Sequence, residues 1–140
     1  MITLFGCGFK LANKQIDFKT NVIETSGQSR INYKIKNAIK FQENENSKKI
    51  YNLKIETNKN KFIEDRNSKN EITKYRISLK ANFKLLDRNN ILIKEYNFEP
   101  SAIYSVADNY SQNLDREKQT IDILIREIEK EILDIFKNDL

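Results

Sequence analysis

Apolar and polar residues alternate along much of this chain, and where the alternation stops a helical period takes over. Gln15–Glu24 places Ile16, Phe18 and Val22 on one side and Asp17, Lys19 and Asn21 on the other, which predicts a half-buried strand. Thr25-Ser26-Gly27 interrupts it, and Ser26 or Ser29 is placed to cap a helix. Over Ser29–Gln42 the residues Ile31, Ile35, Ala38, Ile39 and Gln42 share one helical face. Ile31, Tyr33 and Ile35 also alternate as a strand would, but length and the capping signals favour helix. Glu43–Lys48 is a polar loop. Lys49–Asn58 returns to alternation, with Tyr51, Leu53, Ile55 and Thr57 inward, and Lys59–Glu71 is a charged connection broken only by Phe62-Ile63.

The longest alternation comes next. Tyr75, Ile77, Leu79, Ala81, Phe83 and Leu85 interleave with Lys74, Arg76, Ser78, Lys80, Asn82 and Lys84, the signature of a long strand with one buried face. Asp87-Arg88-Asn89-Asn90 carries turn chemistry, and Ile91–Phe98 is the returning strand, ending before Pro100. The last element is a helix over Leu114–Lys137. Its stripe is Leu114, Ile121, Leu124, Ile125, Ile128, Ile132, Ile135 and Phe136; Asn113 is placed to cap it, with Asp115 and Glu117 in the first turn. Asp122 and Arg126 are spaced to pair one turn apart on its outer side.

These elements predict an α+β, two-layer sandwich: a four-stranded sheet in the order β-α-β-β-β-α, with both helices on one face. The uncovered face then carries Lys74, Arg76, Lys80 and Lys84. Same-face neighbours on a strand lie about 6.8 Å apart, so these cations repel unless an anion or a carboxylate lies across them. Lys59, Lys61, Arg66 and Lys69 form a second basic set, interspersed with Glu64, Asp65 and Glu71. Each set reads either as wet surface that keeps the sheet from aggregating or as a binding surface for something anionic.

Composition narrows the chemistry. The 140 residues fit one domain, and no apolar run approaches the length of a membrane-spanning helix. There is no histidine and one cysteine, so the commonest general base, an intrachain disulfide and a Cys/His zinc site all lack their residues. The expectation is a non-enzyme without metal or cofactor. The net charge of +5 is split, +9 over residues 1–100 and −4 over residues 101–140. A basic body ending in an acidic helix suits an anionic partner. Nucleic acid fits poorly, because RNA-binding sheets present aromatics on the open face, whereas this one offers Lys, Arg, Ser and Asn.

The single cysteine sits in Leu4-Phe5-Gly6-Cys7. A small residue before a cysteine, preceded by apolar ones, is the order at a bacterial lipoprotein cleavage site, and Cys7 is then the lipidated first residue of the mature chain. Only six residues precede it, fewer than a signal peptide needs, so the signal is expected to extend upstream. A lone buried cysteine in an intracellular domain is the other reading. The domain organisation under the first is 1–6 signal-peptide remnant, 7–14 lipid-anchored spacer and 15–140 a single domain.

Cys7-Gly8-Phe9-Lys10-Leu11 after this box resembles the mature start of the LptE family, the small lipoprotein of lipopolysaccharide assembly. Tyr104-Ser105-Val106, Asp108-Asn109 and Glu117 in a long amphipathic helix are similar to the family's closing segment. The resemblance implies a Gram-negative outer-membrane lipoprotein, carried by acyl chains of the palmitate type. It also implies a chain that plugs and helps assemble the LptD β-barrel and contacts lipopolysaccharide on its way to the cell surface. The expected contacts are Lys59, Lys61, Arg66, Lys69, Lys74, Arg76, Lys80 and Lys84. Another periplasmic adaptor lipoprotein of the same build, or a basic nucleic-acid-binding α+β domain, are the alternatives.

Overall fold

A computed structural model describes residues 15–140. Its elements are β1 (Lys19–Gly27), α1 (Ser29–Gln42), β2 (Ile50–Arg66), β3 (Ile72–Leu86), β4 (Leu92–Phe98), β5 (Ser101–Ser105) and α2 (Tyr110–Asn138). The result is the expected two-layer α+β sandwich. β1 runs parallel to β2 through the α1 crossover, and β2, β3 and β4 follow as an antiparallel meander. Both helices cover one face, where Ile31, Ile35 and Ile39 of α1 and Leu124, Ile128, Ile132 and Phe136 of α2 meet the inward residues of β2 and β3 in one core. Phe18, Phe83 and Phe136 are its largest sealed side chains.

The sheet is larger than the sequence pattern predicts, in two places. β2 continues through the stretch read as a charged connection and pairs with β3 as far as Arg66 opposite Ile72. Beyond Thr57 its residues carry no apolar alternation, because none of them is buried; backbone pairing with β3 and the contacts of Lys61 with Tyr75 and Glu117 hold this arm. The second addition is β5. Pro100 has no N–H to give, so the ladder breaks there, but its carbonyl accepts from Leu79 N at 3.0 Å and pairing resumes. Ala81 faces Phe98 before the break and Ser78 faces Ser101 after it, in one unchanged register. β4 and β5 are thus two halves of one interrupted strand.

Local corrections share a theme: backbone irregularity shifts the phase of a pattern. A bulge between Thr20 and Ile23 turns Val22 outward, 45% exposed, and brings Ile23 against the core. Glu43, from the predicted polar loop, is buried beneath it, where its Oε1 accepts from Thr20 N at 2.7 Å and from the Thr20 hydroxyl. Neither Ser26 nor Ser29 caps α1; Gln28 holds the N-cap position without a side-chain bond, and its N–H donates to Thr57. Gly27 just before it has φ +91° and lies so close to the Thr57 carbonyl that a Cβ would clash. α2 begins a turn earlier than predicted, capped by Asn109, whose Oδ1 accepts from Gln112 N at 2.8 Å. Its first turn therefore holds no acidic residue, and the Asn113 side chain instead bonds the Ala107 backbone through both its amide atoms.

Candidate lipid-facing and partner-facing surfaces

Register places Lys74, Arg76, Lys80 and Lys84 on the uncovered sheet face, as the alternation requires. What lies across them is now visible. Arg76 is held by Glu64 through two hydrogen bonds, Nε to Oε2 at 2.9 Å and Nη2 to Oε1 at 3.0 Å. That bidentate contact lowers the Glu64 pKa and raises that of Arg76. Glu64 also feels Lys74. Lys84 lies opposite Glu95 on one side and Lys54 on the other, and Lys54 pairs with Glu24 at 3.8 Å. The face is a mixed lattice rather than a basic stripe. Lys80, opposite Asn58, takes part in no ion pair among the described residues. A shallow depression of about 270 Å³ beside it is lined by Asn58, Asn82, Asn97 and Glu95.

The second basic set is divided between two sites. Arg66 and Lys69 belong to the hairpin tip, where Arg66 Nη1 donates to Asn70 O at 2.9 Å and Asn70 has φ +66°. Lys59 and Lys61 lie on the opposite, helix-covered side of β2. Lys61 Nζ sits 4.3 Å from the centre of the Tyr75 ring and 3.4 Å from Glu117 of α2. Burial works against its charge, but Tyr104 and Glu117 outweigh it and hold the Lys61 pKa above the usual lysine value. Lys61 is thereby bound to the fold's own groups.

Lys59 lines a groove of about 410 Å³ between the two helices, walled by Ile31, Leu114, Ile121 and Ile125 and bordered by Arg30, Lys34 and Lys118. The pairing expected between Asp122 and Arg126 is replaced by a bond across this groove, Lys34 Nζ to Asp122 Oδ1 at 2.7 Å. Arg126 donates instead to the Asp122 backbone carbonyl. The Lys34 bond, and then the charges of Lys34, Lys118 and Arg126, hold the Asp122 pKa below the ordinary carboxylate value despite partial burial. The groove escaped the sequence reading because its two walls are 80 or more residues apart.

Among the described residues no group of three acidic, cysteine or histidine side chains is placed to hold a metal, and no helix is long and apolar enough to cross a membrane. Cys7, the residue read as the lipidation site, lies outside the described residues.

No protein-family model and no curated protein matches the sequence. Several solved structures match the fold. A minor lipoprotein from Acinetobacter baumannii aligns with a TM-score of 0.67 at 16% identity, over 89% of this chain and 92% of its own. Lipoprotein B from Nitrosomonas europaea gives 0.67 at 14%, over 88% and 86%. The rare lipoprotein B from Shewanella oneidensis gives 0.57 at 8%, over 84% and 89%. The fold is therefore one found in bacterial lipoproteins, spanning nearly the whole length of each.

Proposed function

We propose that this chain is a lipoprotein of the LptE type. Anchored by acyl chains on Cys7 at the periplasmic side of the outer membrane, it docks into an LptD-type β-barrel and contacts lipopolysaccharide during delivery. It acts by occupying space and presenting charge, without a catalytic step. The observation that carries this reading is the coincidence of two independent features: a lipobox-like Leu4-Phe5-Gly6-Cys7 ahead of the domain, and a fold shared with bacterial lipoproteins over most of its length. The mixed-charge sheet face supports docking in a polar barrel lumen, where scattered ion pairs suit a wet, specific contact better than an apolar seam would. Lys80, with Lys74 and Lys84 beside it, is the part of that face most available to a lipid phosphate.

Two measurements test it. Intact-mass analysis of the protein made from its complete reading frame should show Cys7 carrying diacylglyceryl and amide-linked acyl groups, and detergent extracts should return it with a β-barrel partner. An unmodified thiol on protein recovered from the cytosol would sink the reading. Recovery with a different envelope partner would favour the adaptor alternative. Within it, Lys80→Glu combined with Lys84→Glu should weaken lipopolysaccharide binding; unchanged binding and unchanged barrel association would remove the sheet face from the account.

A further inference from the structure

The groove between α1 and α2 joins an apolar trough to uncompensated positive charge. Ile31, Ile121 and Ile125 line it, with Leu114, 48% exposed, at its mouth. Arg30, Lys59 and Lys118 border it and join no ion pair among the described residues. The two carboxylates that reach it are already taken, Glu117 by Lys61 at 3.4 Å and Asp122 by Lys34 at 2.7 Å. Its volume of about 410 Å³ falls within the roughly 300–1,000 Å³ of small-ligand pockets. From Leu114 to Ile125 is eleven residues along α2, about 16 Å at 1.5 Å each. That is half the roughly 30 Å hydrocarbon thickness of a bilayer, and so the length of one acyl chain.

Size and charge choose between occupants. A peptide brings backbone N–H groups that need acceptors, and the carboxylates here are engaged. A nucleotide calls for an aromatic face, and among the described residues no aromatic side chain lines the groove. An alkyl chain brings no polar group to satisfy, and a phosphate at its end meets the cations. We propose that the groove takes a monoacyl anionic phospholipid, its chain along Ile31, Ile121 and Ile125 and its phosphate among Arg30, Lys59 and Lys118. The bond between Lys34 and Asp122 is a strap across the same groove. Beyond it a second depression, of about 210 Å³, continues beside Arg126 and Glu129, so the strap sets the length of chain that fits. The site lies on the helix side, leaves the sheet face free for a barrel, and fixes no orientation of the molecule.

The test titrates the full chain, made without acyl groups, with lauroyl lysophosphatidylglycerol below its micellar concentration. Calorimetry should show one lipid per chain, with affinity falling about twofold to fourfold for each methylene removed. Lysophosphatidylcholine of the same chain length should bind about tenfold more weakly, and inorganic phosphate not measurably. Lys59→Met keeps the stem and drops the charge, and should weaken binding about tenfold. Leu114→Asp should abolish it, and Lys34→Ala should move the optimum to longer chains. The chain has no tryptophan, so Gln28→Trp supplies a single reporter at the groove. A brominated acyl chain should quench it and leave Asn58→Trp on the sheet face untouched. Lipopolysaccharide, with its several chains, should not displace the lipid. Absence of binding, equal affinity for the choline lipid, full affinity in Lys59→Met, tighter binding of an acidic amphipathic peptide, displacement by lipopolysaccharide, or quenching at Asn58→Trp in place of Gln28→Trp would overturn the inference. The site needs neither an acylated Cys7 nor a barrel, so its failure leaves the proposed function where it stood.

Discussion

At the scale of single residues, two buried polar groups have opposite fates. Glu43 is buried because it has work there: the Thr20 backbone N–H, on the edge strand β1, finds its acceptor in the carboxylate. Glu43→Ala strands that donor and is expected to cost about 2 kcal/mol in denaturant unfolding, with Glu43→Gln, which keeps an acceptor, costing less. Equal losses for both would mean the charge and not the bond matters. The Tyr96 hydroxyl is the contrary case, buried without a hydrogen-bond partner among the described residues. Burial, with Asp139 nearby, pushes its pKa up. Tyr96→Phe keeps the ring against Phe136 and removes the orphan, so the protein should gain about 1 kcal/mol with an unchanged m-value.

At the scale of elements, the bond between Lys34 and Asp122 is the ionic tie between α1 and α2. The lowered Asp122 pKa fixes the sign of its pH dependence: its contribution is present above the ordinary carboxylate pKa of about 4 and is lost as pH falls through the lower folded value. Lys34→Met should therefore cost at most about 1 kcal/mol near neutrality, both side chains being about a third exposed. It should also flatten the acid limb of the stability profile; a limb of unchanged steepness would assign acid sensitivity elsewhere. Glu129 works in the other direction, its pKa raised by burial against the pull of Lys34 and Arg126. What the sequence made legible at this scale follows burial. β3 was readable because each inward side chain from Ile77 to Leu85 is sealed while its outward neighbours carry a hydroxyl, a charge or an amide. The far half of β2 was not, because a strand wet on both faces has no reason to alternate. Pro100 hid β5 by looking like an end when it is an interruption. The candidate site was half legible: strand period placed Lys74, Arg76, Lys80 and Lys84 on one face, but no local pattern reveals that Glu64 and Glu95 sit across from them, or that Lys61 is engaged by α2.

At the scale of the whole molecule, stability is graded along the β2–β3 hairpin. One end carries the core beneath two helices; the other, past the level of Tyr75 and Tyr104, narrows to the two-stranded tip of β2 and β3, and its outer side exposes Phe62. Hydrogen exchange should follow that gradient, with amides of Phe62–Arg66 and Ile72–Lys74 exchanging at least about a hundredfold sooner than those of Leu53–Thr57. Uniform protection would mean the arm is held by something besides its ladder.

The entry of the chain into the domain has a mechanical meaning. Ile16 and Phe18 are almost wholly sealed in the core, at 0% and 1% exposure, and they come before the first residue of β1. If Cys7 carries the acyl anchor proposed above, a pull from it reaches these two plugs first, and the parallel β1–β2 seam behind them only after they are drawn out. Under that proposal the domain would be moored as a boat is by a cleat bolted through the hull, so that drag on the body is borne by its densest timber and not by its planking.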